Sequence, residues 1–422
     1  MRWLGTYQNS NVDKKTYEGQ VTVRLCNYTD VYYNEFIKDS SEFMAATASK
    51  SEISSMSLKK GDIIITKDSE DPTDIGIPAI VSEDLINVVC GYHLTVIRVS
   101  ETYQRFVHRL IQADSTKARF YVESPGITRY GLNQDAIGGL SILMPPPDEA
   151  VRLANFIDRE TARIDALISK KTRFIALLRE KRQALITHAV TKGLDPNIKM
   201  KDSGVEWLGE VPEHWEVTHV KRLVTSIFQG WSPECEPRPP EEGEWGVLKV
   251  GCVNGGQFRV EESKALPDSL EPRSELAIRK GDVLVSRANT RELVGSCAVV
   301  PCDFPKIMLC DKLYRLTADP KKVSPEFLAA LISVHGRRMV EIEATGASSS
   351  MVNIAQSVIM DLPVAVPDVA EQKAVANYLQ TSVIKIDLVM VRTERSIELL
   401  KERRSALITA AVTGQIDLRE AA

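Results

Sequence analysis

LLREKRQALITHAVT at residues 177–191 returns almost unchanged as LLKERRSALITAAVT at residues 399–413. The shift is constant: Glu180 and Glu402, Arg182 and Arg404, and Asp195 and Asp417 each stand 222 residues apart. A period this long excludes a solenoid, so the duplicated unit is a whole domain plus a helix.

Working outward from that stretch, residues 148–191 hold neither proline nor glycine. Leu153, Ile157, Ile164, Leu167, Ile168, Ile175, Leu178, Leu185 and Ile186 recur there in steps of three, four and seven. The spacing draws one apolar stripe down a helix of about 60 Å, at a rise of about 1.5 Å per residue. Pro145-Pro146-Pro147 stops the preceding chain, and Asp148 is expected as the N-cap. In the second copy, Pro367-Asp368 followed by Glu371 resembles a capping box, and Val375, Leu379, Ile386, Val389, Ile397, Leu400, Leu407 and Ile408 repeat the stripe. An isolated rod cannot bury such a stripe, so each helix requires a partner of similar length, and its own copy supplies one. The domain-length connection permits parallel packing as well. Antiparallel packing is preferred, because two copies of one unit are then related by a pseudo-twofold axis.

The flanking segments share a second plan. Before residue 145, VTVRLCNYTDVYY, DIIITK, IPAIV and HLTVIRV are short β-branched runs separated by turn formers and interrupted by helical stretches. From Trp215 to Pro367 the pattern returns. Lys60-Gly61-Asp62 matches Lys280-Gly281-Asp282, GIPAIV at 76–81 matches GSCAVV at 295–300, and Gly126 and Asn133 match Gly346 and Asn353. The stretches between these anchors differ, TKDSEDPTDI against SRANTRELV, as expected of one scaffold carrying loops for different ligands. Gly126 and Gly346 are expected to serve backbone turns. The connector at 192–217, KGLDPNIKMKDSGVEWLGEVPEHWEV, is expected to be ordered, with Trp207, Leu208 and Trp215 tucked against a neighbour. Arg2-Trp3-Leu4-Gly5 echoes Glu206-Trp207-Leu208-Gly209, which places the two ends of the chain together.

Composition sets the bounds. A chain of 422 residues exceeds what one core usually serves, and 43% hydrophobic with 26% charged residues describes a globular protein rather than a disordered one. No apolar run approaches the roughly eighteen residues of a membrane span, and the first residues lack a signal core, so the expected location is the cytoplasm. The seven cysteines form no CxxC and read as scattered reduced thiols. A net charge of −4 does not advertise a nucleic-acid binder, so phosphate contact must rest on local patches or on partners.

The two LL-x-E-x-R-x-ALIT-x-AVT helices, the connector DSGVEWLGEVPEHWEV, the KGDIII and KGDVLV strands and the Pro-Asp helix starts together resemble the specificity subunit of type I restriction-modification systems. The resemblance covers nearly the whole chain, with an abbreviated connector, MRWLGTYQ, at the N-terminus. It implies an α+β fold in which two related mixed α/β target recognition domains are separated by two long helices packed as an antiparallel coiled coil. The expected segments are recognition domain 1 at 1–147, a spacer helix at 148–191, a connector at 192–214, recognition domain 2 at 215–367, a second spacer helix at 368–413 and a tail at 414–422. The resemblance further implies that each domain reads one half of a bipartite target in double-stranded DNA. The helices would fix the half-site spacing and dock two modification (methyltransferase) subunits, with restriction (translocase and nuclease) subunits joining the complex. A rigid spacer is also what any reader of two separated base clusters needs.

Catalytic signals are absent. There is no GxxxxGK[ST] and no Asn-Pro-Pro-aromatic tetrapeptide, so no nucleotide or methyl-donor cofactor is expected and the chain reads as non-catalytic. Pro367-Asp368 with Glu371 and Lys373 is too compact for a nuclease PD…ExK set and better explained by capping. His214 and His219, or Cys297, Cys302 and Cys310, lack zinc spacing, so no metal is expected. For base reading, the residues after the KGD strands are the candidates. In the second domain these are Arg287, Asn289, Thr290 and Arg291, whose forks and amide match guanine and adenine edges, with Ser348, Ser349, Ser350 and Asn353 in a further loop. In the first domain they are Lys67, Thr128, Arg129, Tyr130 and Asn133. Glu180, Arg182, Glu402 and Arg404 are the candidate partner-docking residues of the helices. The competing reading is a coiled-coil scaffold whose globular domains bind protein rather than DNA.

Overall fold

The structure, a computed structural model, describes residues 1–343 and 352–416. The chain divides into two compact units, Met1–Arg173 with Thr393–Ala422, and Phe174–Arg392. Both long helices, Pro147–Lys192 and Val369–Val412, contribute to both units.

In the first unit a five-stranded sheet runs in the order Gly5–Asn9, Leu94–Val99, Ile63–Thr66, Pro78–Val81, Phe36–Ile37. Its central strand, IIIT, is apolar on both faces because both are covered. With the two-residue period of a strand, Ile63 and Ile65 join Phe106, Leu110, Leu153 and Ile157 in one core, while Ile64 enters another with Val23 and Leu25 from the three-stranded sheet Met44–Ala48, Val21–Cys26, Val88–Cys90. Met1 lies in the first of these cores with Ile408, Ala411 and Val412, so the N-terminus packs against the last turns of the second long helix.

The second unit has the corresponding order, Val224–Gln229, Leu313–Ala318, Val283–Ser286, Cys297–Val299. Val283 and Val285 pack with Phe327, Leu331 and Val375, and Leu284 packs on the other side with residues of the sheet Ser263–Ala265, Gly246–Leu248, Phe304–Met308, Ala277–Ile278. Gly61 and Gly281, just before the two central strands, hold φ +87° and +86°, a left-handed turn that an L side chain would strain. In the connector, Met200–Asp202 pairs with Glu210–Pro212, Leu208 and Trp215 are buried, and Trp207 packs on His335 at 4.8 Å between ring centroids.

The helix starts differ from expectation in detail. The first long helix begins at Pro147, whose missing N–H is an orphan there in any case, so Asp148 is not the cap but sits in the first turn, where its charge suits the helix dipole. At the second helix Asp368 Oδ1 accepts the Glu371 N–H at 2.9 Å. The Glu371 carboxylate, however, accepts the indole N–H of buried Trp215 at 3.1 Å and lies 2.7 Å from His214 Nε2. The expected capping box is therefore half of one, and its glutamate ties the connector to the helix.

The helix Val369–Val412 also corrects the reading of apolar runs. By length and composition it is long and apolar enough to cross a membrane, with a mean hydropathy of 1.2 in its most apolar 18-residue window, 17% of which is buried. That window holds at most two charged residues, and the helix is densely charged from Arg392 to Arg404.

Candidate nucleic-acid interface

In each unit the central strand ends at a basic residue held in the same backbone frame. Lys67 follows Ile63–Thr66; its N–H donates to His93 O at 3.0 Å and its carbonyl accepts the Leu132 N–H at 2.7 Å. Arg287 follows Val283–Ser286; its N–H donates to Lys312 O at 2.9 Å and its carbonyl accepts the Ile354 N–H at 2.8 Å. The next two residues then form a short antiparallel ribbon with a distant loop: Asp68–Ser69 with Tyr130–Gly131, and Ala288–Asn289 with Val352–Asn353. The sequence candidates from separate loops thus converge on two equivalent patches.

The side chains differ. In the first patch Lys67 Nζ stands 4.4 Å from the centre of the Tyr92 ring and 3.3 Å from Ser10 O. Burial lowers its pKa, against the pull of neighbouring Asp68. Arg129 Nη2 donates to Asp68 Oδ1 at 2.7 Å, and His93 Nδ1 lies 2.6 Å from the same oxygen. The charges partly neutralise one another, yet the Arg129 side chain remains 55% exposed. Thr128 is exposed on the same loop. Gly126 is needed there for close approach, since a Cβ would lie 2.2 Å from Arg129 O. Asn133 is employed locally: its Oδ1 accepts the Ala136 N–H at 2.7 Å as the N-cap of helix Gln134–Gly138.

In the second patch Arg287 donates through Nη1 to Asp311 O at 3.2 Å and lies 5.7 Å from the Tyr314 ring centre, with its buried Nε unpaired. Asn289 is buried, with Nδ2 3.3 Å from Asn254 Oδ1 and Oδ1 accepting the Thr290 N–H. Thr290, Arg291 and Asn353 face solvent. Ser348, Ser349, Ser350 and Gly346 lie outside the described residues. Sequence reading missed Tyr92, His93 and Asp68 in the first patch and Asp311 and Lys312 in the second. The signal was available in the alignment of HLTVIRV with KLYRLTA, which sets His93 opposite Lys312.

On the helices Arg182 and Arg404 turn inward. Arg182 Nε donates to Asp387 Oδ1 at 3.0 Å in one unit, and Arg404 Nε donates to Asp165 Oδ1 at 3.0 Å in the other. Asp165 and Asp387 are themselves 222 residues apart. Glu180 and Glu402 are exposed.

A two-plan mixed α/β chain with packed long helices and an equivalent strand-end patch on each plan defines a class, and comparison with known proteins gives it a relation. No family model matches the chain. It is 30% identical over 206 residues to the type I restriction enzyme EcoEI specificity subunit of Escherichia coli, covering 48% of this chain and 34% of that protein. It is 24% identical over 290 residues to the type I restriction enzyme MjaVIII specificity subunit of Methanocaldococcus jannaschii, covering 66% and 63%. The chain therefore spans between about a third and less than two thirds of these relatives' own lengths. In fold it matches a chain from a study of complex assembly and conformational transition of the type I R-M system, with TM-score 0.70, 14% identity and coverage of 97% and 96%. It also matches the HsdS subunit of Thermoanaerobacter tengcongensis, with TM-score 0.51, 16% identity and coverage of 99% and 96%. The chain is related to the specificity subunits of type I restriction-modification systems.

Proposed function

We propose that this chain is the non-catalytic DNA-specificity subunit of a cytoplasmic type I restriction-modification complex, and that each globular domain reads one half of a bipartite duplex target. The observation that carries this is the pair of reading patches: an identical backbone frame at the end of equivalent strands, with Lys67, Arg129 and Tyr130 on one and Arg287, Thr290, Arg291 and Asn353 on the other. Arginine forks and amides discriminate base edges in the major groove, so different side chains on one frame select different half-sites.

The long helices act as an antiparallel pair about a pseudo-twofold, which the matched ion pairs Arg182–Asp387 and Arg404–Asp165 support. They set half-site spacing. Ile384, Leu388, Val389 and Val391 are 40–61% exposed on the second helix, an apolar strip suited to two methyltransferase subunits, with the exposed Glu180 and Glu402 available to partner cations and restriction subunits completing the assembly. A gel shift with a random duplex pool, run with methyltransferase subunits present, tests the reading. Enrichment of two short motifs at a fixed gap is expected; recovery of no selected sequence favours the protein-binding scaffold instead.

A further inference from the structure

Within the first unit the long helix Pro147–Lys192 carries a second periodic stripe, on the side away from its core. Arg152, Arg159, Arg163 and Lys170 follow one another in steps of seven, four and seven residues, which at about 3.6 residues per turn stacks them within about 40° of arc. Leu153, Ile157, Thr161 and Ile164 on the opposite side are buried. All four cations are exposed, Arg159 at 60% and Arg163 at 72%. The same arc holds no acid between residues 148 and 173. Glu160, on its flank, bonds both Arg159 and Arg163 and so neutralises one charge. Arg152 and Lys170 make no ion pair with any described residue. The stripe thus presents an excess of positive charge over about 27 Å, on a chain whose net charge is −4.

A run of cations on a helix is ordinarily a solvated face, and the internal repeat weighs against that here. At the 222-residue shift Arg163 and Lys170 return as exposed Lys385 and Arg392, while their neighbours change from Ala166 to Leu388 and from Ser169 to Val391. Charge is kept where the surroundings drift. Arg152 and Arg159 return as Ala374 and Thr381, so the first copy is the richer.

We propose that Arg152, Arg159, Arg163 and Lys170 hold the phosphate backbone of the DNA that lies between the two half-sites. This rests on the reading of a bipartite duplex proposed above and adds to it the local patch that an acidic chain needs for phosphate contact. A helix that sets the gap between half-sites has the intervening duplex running beside it. Phosphates follow one another about every 3.4 Å along each strand, so about 27 Å of stripe spans about eight base pairs, and the strands that cross it bring two or three phosphates within reach of the long side chains. Such contacts carry affinity and register but no sequence information.

Salt-dependent binding tests the stripe. The full chain, assembled with its methyltransferase subunits, is titrated with a duplex carrying the mapped target over a range of salt concentrations. The combined variant Arg159→Gln, Arg163→Gln, Lys170→Gln is expected to bind about tenfold more weakly, with the slope of log K against log salt shallower by about 2. Its preference for the target over a duplex altered at one base of either half-site should be unchanged. Uncharged methylphosphonate linkages across the gap should weaken the wild-type complex and leave the variant unaffected. An unchanged slope with target preference retained overturns the stripe alone. Loss of the methyltransferase subunits from the variant on size-exclusion chromatography also overturns it, since the face is then a protein interface. A wild-type complex with no target preference instead defeats the DNA reading itself, and the stripe's role falls with it.

Discussion

Arg404 and Arg182 make the same ion pair from the same atoms at the same distance, yet one continues into a buried network and the other opens onto a cleft. Duplication preserved the pair that joins helix to helix and varied the chemistry that joins domain to helix, ionic around Arg109 in the first unit and carried by Gln372, Glu371 and apolar packing in the second. The helix pair has to keep one register in both halves. If each domain meets its own half-site, as proposed, its attachment is free to diverge along with its loops.

Perturbing one half at a time separates what each unit contributes. The largest effect is expected from exchanging residues 215–366 for those of a related specificity subunit: methylation mapping should show one half of the target replaced and the other intact. Next, inserting one heptad into both long helices should change the gap between half-sites; an unaltered gap would remove the spacer role. Arg109→Leu leaves Glu35 with Arg404 alone and Asp158 with Arg105 alone, and should cost the first unit about 2–3 kcal/mol in urea denaturation, whereas Ala330→Leu, entering an open cleft, should change the second by less than about 1 kcal/mol.

The halves should also separate with pH. Burial, and then neighbouring Arg109, lowers the His108 pKa from its ordinary 6.5 to about 4. A group protonated more readily unfolded than folded destabilises on acidification, so the first unit should lose stability as pH falls from 6.5 towards 4. Glu35 and Asp158, both held below the usual carboxylate range despite burial, stabilise above it and extend the loss at still lower pH. The second junction has Ala329, Gly255 and Gln380 at those places and should contribute no such slope. Unit-resolved hydrogen exchange between pH 7 and 4, corrected for intrinsic rates, reads the difference. The smallest effect expected is that of Arg182→Ala, about 1 kcal/mol for a partly exposed pair, against about 2 kcal/mol for Arg404→Ala, which also removes one of the two arginines that hold Glu35.

Much of this was legible in the sequence where a period or a repeat carried it. The helix stripe, the KGD strands and the constant shift between LLREKRQALIT and LLKERRSALIT led to the two long helices and to matching sheets. Convergence was legible only in part: Lys67 and Tyr130 were named on separate loops, but the ribbon that joins them depends on backbone pairing across more than sixty residues. Asn133 and Asn289 looked like base readers by residue type, and the fold uses the first to cap a helix and turns the second inward. The Arg109 network was invisible because FVHRLI reads as a mostly apolar helix face, and its arginine finds Glu35 and Asp158 only after the chain has closed on itself.

The central claim is that one chain reads two half-sites with two domains. Mapping methylated adenines in a host carrying the complete system, with and without this chain, tests it most directly. The account predicts a bipartite motif with a fixed gap that disappears when the chain is removed. A single continuous motif, or methylation indifferent to the chain, would contradict it.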